Sequence, residues 1–182
     1  MNRLRIAALT IFLLVLCGGF AIAADRPQRF EKPEDVVAWL YRDFGWEALI
    51  SHYFDKDILI DQPANVLKRY FTSRLAELIV KDREHVTRTK ELGHIDFILI
   101  FGSQDPDGIS NIRITRKPGT SVVSVLYDYN GEKDVMKIDF KTVQTENGWK
   151  ISDMHYKTRK SHAFPDPGLE ISLFGLLSQP YE

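Results

Sequence analysis

The sequence has 182 residues, 44% of them hydrophobic, and a formal net charge of −1 from 24 basic and 25 acidic residues. This length is enough for one domain with its own core. Charges of both signs are interspersed, so the chain offers no strong field for nucleic acid or anionic lipid. A single cysteine excludes the small disulfide-rich scaffolds.

The first residues carry the pattern of a secretory signal peptide. Arg3 and Arg5 form a positive region, and residues 6–15 are apolar except for one threonine. Ala21 and Ala23 supply the small side chains that a signal peptidase requires at its cleavage site. An uncleaved membrane anchor is the alternative, which these cleavage-site residues disfavour.

Cleavage near Ala24 divides the chain into a signal peptide, residues 1–23, and a single domain, residues 24–182. The domain is then periplasmic or secreted, and it meets the membrane only through the signal peptide before cleavage. A lipoprotein is a further alternative because of Cys17, but Leu16 stands where lipoprotein processing needs a small residue. Once Cys17 is removed, the exported part has no cysteine for a disulfide, a nucleophile or a metal.

Two helices are predicted at the start of the exported part. Pro33 suits the first turn of a helix, and Glu34 and Asp35 suit the positive end of the helix dipole. A second, more strongly periodic helix is predicted to begin at Pro63 and to end at Gly93. The apolar positions are Val36, Val37, Leu40, Tyr41 and Phe44 in the first helix and Val66, Leu67, Tyr70, Phe71, Leu75, Leu78 and Ile79 in the second.

From Asp96 onward the pattern changes to short extended segments. Residues 97–101 are apolar, and residues 109–114 form a second segment. After a turn at Pro118, residues 122–129 are dense in β-branched and aromatic side chains, which is typical of a buried strand.

Hairpin signals dominate the rest of the chain. Asn130-Gly131 is the strongest of them, and the strand that follows alternates apolar and polar residues from Met136 to Lys141. A second tight turn at residues 146–148 leads into another alternating strand. Residues 169–177 form an apolar tail, predicted to be a short helix packed on the sheet. Together these patterns predict an α+β fold with N-terminal helices packed on one face of a curved antiparallel β-sheet.

Three segments resemble a known family. They are residues 70–75 (YFTSRL), 102–107 (GSQDPD) and 146–154 (ENGWKISDM). With the helices first and the hairpins last, the chain resembles domain of unknown function family 3828, within the nuclear transport factor 2-like superfold. That resemblance implies a cystatin-like cone of helices and bent sheet and a place in the bacterial envelope. It implies no reaction, because the family has no established general activity.

The loop at residues 102–108 has two interpretations. Asp105 and Asp107, with Gln104, resemble part of a calcium loop. Pro106 lies between the two acids and no bidentate glutamate follows, so a turn capped by aspartate side chains is favoured over a metal site. The histidines are isolated in the sequence and do not indicate zinc. We therefore predict no metal and no cofactor.

Titratable residues on the strands are the other candidates. Asp139 alternates with Met136, Ile138 and Phe140 and is expected to face away from the core. Asp153 and His155 have the same parity as Trp149 and Ile151, so strict alternation places them on the apolar face. A buried carboxylate there could act as an acid or base, as in isomerases that use this superfold. A buried, hydrogen-bonded Asp153 without a catalytic role is the favoured interpretation.

The sequence therefore favours an exported, non-enzymatic binding or interaction module of the cell envelope, immunity-type or accessory in role. Its partner is a small ligand or a periplasmic protein, held in a concavity of the sheet or at the 102–108 loop. The aromatic residues expected to line the concavity are Tyr127, Tyr129, Trp149 and Tyr156. One alternative is a small periplasmic hydrolase or isomerase that uses Asp153, His155 and a tyrosine. Another is a structural homodimer formed through the open sheet face; nucleic acid is not expected as a partner.

Overall fold

A computed structural model describes residues 29–46, 58–104, 106–158 and 170–181 of the chain. The helices are α1 (Pro33–Phe44), α2 (Ala64–Tyr70), α3 (Ser73–Thr89) and α4 (Leu173–Leu177), with one 3₁₀ turn at Leu59–Asp61. The strands are β1 (Ile109–Arg116), β2 (Val122–Tyr129), β3 (Glu132–Thr145), β4 (Gly148–Thr158) and β5 (Glu170–Ser172). The five strands form one antiparallel sheet in the order β1-β2-β3-β4-β5. The fold is therefore α+β, with helices followed by an open antiparallel meander.

Helix α1 begins where the sequence predicts. Pro33 lies in its first turn, Glu34 and Asp35 follow it there, and Arg42 lies in the last turn, so the charges complement the helix dipole. The predicted apolar positions of α1 are all buried in the core that the helices share with one face of the sheet. We call this the inner face, and the opposite one the outer face.

The predicted second helix is two helices, and the prediction of a single element is wrong. Phe71 adopts an extended conformation and pairs with Ile151 of β4, and the Thr72 N–H donates to the Ile151 carbonyl at 2.9 Å. Thr72 then caps α3, its hydroxyl accepting from the Leu75 N–H at 3.4 Å. Contact with the sheet therefore holds Phe71 and Thr72 in a non-helical conformation and divides the predicted helix in two. Helix α3 also ends before Gly93, because Lys90 adopts the left-handed conformation that terminates helices.

The hairpins agree with the sequence pattern. Strand β2 covers residues 122–129 as predicted, and Asn130 and Gly131 both have positive φ in the two-residue turn that joins it to β3. Thr145 pairs with Gly148 across the next turn. These elements depend on local turn chemistry, which is why a short sequence window suffices to predict them.

Residues 97–101 form no strand, although their apolar character suggested an extended segment. The chain turns sharply here, with the N–H groups of Phe101 and Gly102 both donating to the Ile98 carbonyl. The side chains of Leu99, Ile100 and Phe101 are buried. A turn of backbone therefore occupies the interior, and we call residues 98–103 the buried turn.

Three tyrosine hydroxyls satisfy the carbonyls of the buried turn. A buried carbonyl without a hydrogen bond is costly, and each of the three successive carbonyls accepts one from a different element. The donors are Tyr156 to Leu99 at 2.9 Å, Tyr41 to Ile100 at 2.5 Å and Tyr127 to Phe101 at 2.5 Å. The buried turn thereby fills the space between α1 and the inner face.

A β-bulge changes the alternation of β4, and the predicted orientation of Asp153 and His155 is wrong. Lys141 pairs with Asp153 but Thr142 pairs with Ile151, so Ser152 has no counterpart on β3. Both Ile151 and Met154 are consequently buried on the inner face, although strict alternation would separate them. The extra residue turns Asp153 and His155 to the outer face.

The C-terminal tail is a strand followed by a helix. Residues 170–172 pair with β4 as β5, which the sequence pattern did not predict. Helix α4 follows, with Leu173 and Leu177 buried. Within the described ranges no helix is long and apolar enough to cross a membrane. The predicted signal peptide, residues 1–23, lies outside these ranges.

We expect the Tyr127→Phe substitution to lower the free energy of unfolding by about 1–3 kcal/mol, because the buried Phe101 carbonyl loses its only hydroxyl donor. Urea denaturation of both proteins would measure the difference. Tyr181→Phe is the matched control, since the Tyr181 hydroxyl is only partly buried and donates to Asp82 at 3.2 Å. If Tyr127→Phe lowers the free energy of unfolding no more than this control does, the hydrogen bond to the Phe101 carbonyl does not stabilise the fold as proposed.

Candidate functional site

The 102–108 loop is only partly described, because Asp105 lies outside the described residues. Gln104 is exposed, and its amide donates to Asp96 at 3.0 Å. Asp107 is also exposed, in a turn that places Gly108 against the Asn130 side chain. Among the described residues no cluster of histidine, cysteine, aspartate or glutamate side chains is arranged to hold a metal ion.

The four aromatic candidates are not gathered around a cavity. Tyr127 and Tyr156 are buried, and both hydroxyls donate to the buried turn. Burial also raises the pKa of both phenols well above the usual value. Tyr129 and Trp149 are half-buried at the edge of the core. The inner face at Tyr127 and Tyr156 is filled by the protein's own groups.

Asp153 and His155 lie together on the outer face, away from the tyrosines. His155 Nε2 is 2.6 Å from Asp153 Oδ2, and its Nδ1 is 3.3 Å from Glu170. Tyr156 points to the opposite face, so the aspartate, histidine and tyrosine of the hydrolase or isomerase alternative are not brought together. Asp139 is also on the outer face, where Ser124 and Lys137 donate to it.

Asp153 holds the C-terminal elements against β4. Its carboxylate accepts from the Ser172 hydroxyl at 3.0 Å and from the Phe174 N–H at the start of α4 at 3.0 Å. It also accepts from the Met154 N–H at 2.9 Å. His155 also contacts this carboxylate, so both oxygens of Asp153 have hydrogen-bond partners within the protein. This arrangement fixes β5 and α4 and leaves no lone pair directed at a ligand.

We expect Asp153→Ala to lower the free energy of unfolding by roughly 2–3 kcal/mol, because several donors lose a charged acceptor together. Hydrogen exchange should become faster at residues 170–177, which these bonds hold in place. Ser172→Ala removes one helix-capping hydroxyl and should cost only about 1 kcal/mol. Unchanged protection of residues 170–177 in Asp153→Ala would contradict this role.

A groove of about 640 Å³ lies between the α2–α3 junction and the turn that joins β3 to β4. Its volume is within the range of small-ligand sites. We call it the junction groove. Its lining residues are Arg29, Asn65, Lys68, Arg69, Phe71, Thr72, Ser73, Thr145, Glu146, Asn147 and Lys150.

The junction groove is strongly basic. Four of its lining residues are cations and only Glu146 is an acid. At least two of the cations have acidic neighbours among the described residues, since Arg29 is 3.3 Å from Glu31 and Lys68 is 2.9 Å from Glu77. All four of these ion-paired groups are at the surface, where solvent weakens such pairs. Cations therefore outnumber acids among the described residues that line the groove.

Lys150 is the most unusual residue of the groove. It is 8% exposed, and its ammonium donates to the Arg69 carbonyl at 2.6 Å. No carboxylate of the described chain forms an ion pair with it. Burial lowers its pKa, as expected for a cation removed from water without a compensating negative charge. The ammonium also lies 5.9 Å from the centroid of the Phe30 ring, so its partners are a carbonyl dipole and an aromatic face. A largely buried cation with only such neutral partners favours an anion beside it.

Helix α3 adds backbone donors to the same groove. The first hydrogen bond of this 17-residue helix joins the Ala76 N–H to the Thr72 carbonyl, so the N–H groups of Ser73 and Arg74 precede the helical ladder. Such N–H groups and the helix dipole stabilise negative charge. The hydroxyls of Thr72 and Ser73 line the groove beside them.

The sequence patterns did not predict this groove, although they pointed to two of the segments that form it. Two of the three segments that carry the family resemblance, residues 70–75 and 146–154, border it. Lys150 lies between Trp149 and Ile151 at the start of a strand, where sequence alone predicts an exposed lysine. Its burial depends on Arg69, which is far away in the sequence.

Comparisons with known proteins add no identity: no family model, no curated protein and no solved structure matches this chain.

Proposed function

We propose that this chain is an exported, non-enzymatic binding module of the cell envelope that holds the anionic group of a ligand in the junction groove. The observation that carries the proposal is Lys150, a residue that is 8% exposed and whose ammonium has a carbonyl and an aromatic ring as partners but no ion pair with a described carboxylate. An anion in the groove would supply the missing negative charge. This site replaces the sheet concavity, whose tyrosines are committed to the buried turn.

The groove offers an anion three kinds of interaction. Lys150 and the surface cations attract it, the N–H groups at the start of α3 can bind its oxygens, and the hydroxyls of Thr72 and Ser73 can complete its shell. These donors come from separate elements that converge on one place. Such convergence is what distinguishes a binding site from scattered surface charge.

The fold assignment and the compartment belong to the same proposal. We assign the helices and the meander to the nuclear transport factor 2-like superfold and the chain to domain of unknown function family 3828. The order of the elements and the position of segments 70–75 and 146–154 at the groove support this assignment. The signal-peptide pattern of the first 23 residues supports export, with an accessory or immunity-type role in the envelope.

Isothermal titration with inorganic phosphate, sulfate and citrate at low ionic strength tests the anion site. We expect at least one of these anions to bind, and Lys150→Met to weaken that binding about tenfold or more, because a charged hydrogen bond is worth roughly 1.5–3 kcal/mol. Lys133→Met is the matched control, since it removes the same charge from an exposed position in β3. Absence of binding by all three anions, or equal losses in the two variants, would reject the groove as the site.

The proposal also predicts how affinity changes with pH. Because the pKa of Lys150 is lowered, its ammonium loses its proton at a lower pH than an ordinary lysine. Anion affinity should therefore decrease in alkaline solution before the exposed lysines titrate. Titrations from pH 7 upward would show this decrease in the native protein, and Lys150→Met should lack it. A native affinity that stays constant until ordinary lysines titrate would contradict the role of Lys150.

A further inference from the structure

We infer that the ligand of the junction groove is a phosphomonoester carried on a hydroxylated body, such as a sugar phosphate. The inference rests on the proposed function and adds the chemical class of the ligand. Three observations support it: the size of the groove, the nature of its lining and the donors that lie around Lys150.

The groove is far larger than a bare oxyanion. A water molecule occupies about 30 Å³ in the liquid, so 640 Å³ corresponds to on the order of twenty such groups. A phosphate group would fill a small part of this volume. The remaining space suits an organic body attached to the anion.

The lining suits a body that carries both hydroxyl groups and hydrocarbon, because the long polar side chains expose apolar stems beside their polar ends. Phe71 is the only lining residue with a hydrocarbon side chain, and it is 1% exposed because it packs into the core. The other lining side chains carry hydroxyl, amide or charged groups. An apolar ligand would remove these groups from water without replacing their hydrogen bonds.

Charged and uncharged polar groups lie side by side in the lining. The contact between Lys150 and Arg69 marks the cationic part, beside the first turn of α3. Asn65 lies one helical turn before Arg69 on α2, and Asn147 lies three residues before Lys150 in the β3–β4 turn. Both asparagines are exposed, and their amides can donate to or accept from hydroxyl groups. Glu146 can accept hydrogen bonds from further hydroxyls at the same turn.

The cationic part fits a phosphate better than a carboxylate. The Lys150 ammonium comes from β4, whereas the Ser73 amide and the Thr72 hydroxyl come from the start of α3. A phosphomonoester has three terminal oxygens directed away from each other, whereas a carboxylate has two in one plane. The tetrahedral group can therefore accept from more of these donors at once.

Isothermal titration of the whole exported chain with four probes tests the inference: glucose 6-phosphate, inorganic phosphate, glucuronate and glucose. We expect glucose 6-phosphate to bind at least tenfold more tightly than phosphate or glucuronate, and glucose to show no binding. The double variant Asn65→Ala, Asn147→Ala should reduce the preference over phosphate to less than threefold and leave phosphate affinity unchanged. Both positions are exposed, so the variant should fold, which circular dichroism would verify.

The outcomes separate this inference from the proposed function. Equal affinity for phosphate and glucose 6-phosphate, or tighter binding of glucuronate, would overturn the ligand class and leave the anion site in place. An unchanged preference in the double variant would overturn the role of the two asparagines as the body-binding part. Failure of every anionic probe, together with the anions tested above, would overturn both.

Discussion

The arrangement of this domain depends on three hydrogen bonds from buried tyrosines to a turn of backbone. Leu99, Ile100 and Phe101 present their carbonyls inside the protein, where water is excluded and an unpaired carbonyl would be costly. The hydroxyls that satisfy them come from α1, β2 and β4, so these bonds join the first helix to two strands of the sheet at one place. The same bonds occupy the inner face of the sheet. The interior of the inner face is therefore filled, and the junction groove lies at the periphery of the core.

The outer face and the junction groove differ in how their charges are balanced. On the outer face, Asp153 and Asp139 are each surrounded by donors from neighbouring strands, so the charges of the two carboxylates are compensated within the protein. In the groove, Lys150 is buried against a carbonyl and forms no ion pair with a described carboxylate. Compensated charges contribute to the stability of the fold, whereas an uncompensated buried charge favours an external partner. This contrast favours the groove over Asp153 and Asp139 as the place where a charged ligand would bind.

Features set by local chemistry could be predicted from the sequence. Pro33 and the acids after it indicate the start of α1, and Asn130-Gly131 indicates the hairpin between β2 and β3. Features set by contacts between distant residues could not. Phe71 leaves a helix to pair with Ile151, and Ser152 forms a bulge that reverses the facing of Asp153. The apolar residues 97–101 resemble a strand in composition, and only the tyrosines around them explain why they form a buried turn. The groove depends on Arg69 and Lys150 meeting across the fold, which no periodicity within a single element can reveal.

The pairing of Phe71 with Ile151 has a consequence for recognition. The Thr72 N–H is bound to β4, and Lys150 of the same strand is bound to the Arg69 carbonyl, so the helix junction and the strand are tied at two neighbouring points. The first turn of α3 and the lysine that faces it are thus held at a fixed separation before any ligand arrives. Preorganised donors lose little conformational entropy on association. A rigid cradle of this kind discriminates between ligands by the spacing of their oxygens, because it cannot adjust to one whose shape does not match.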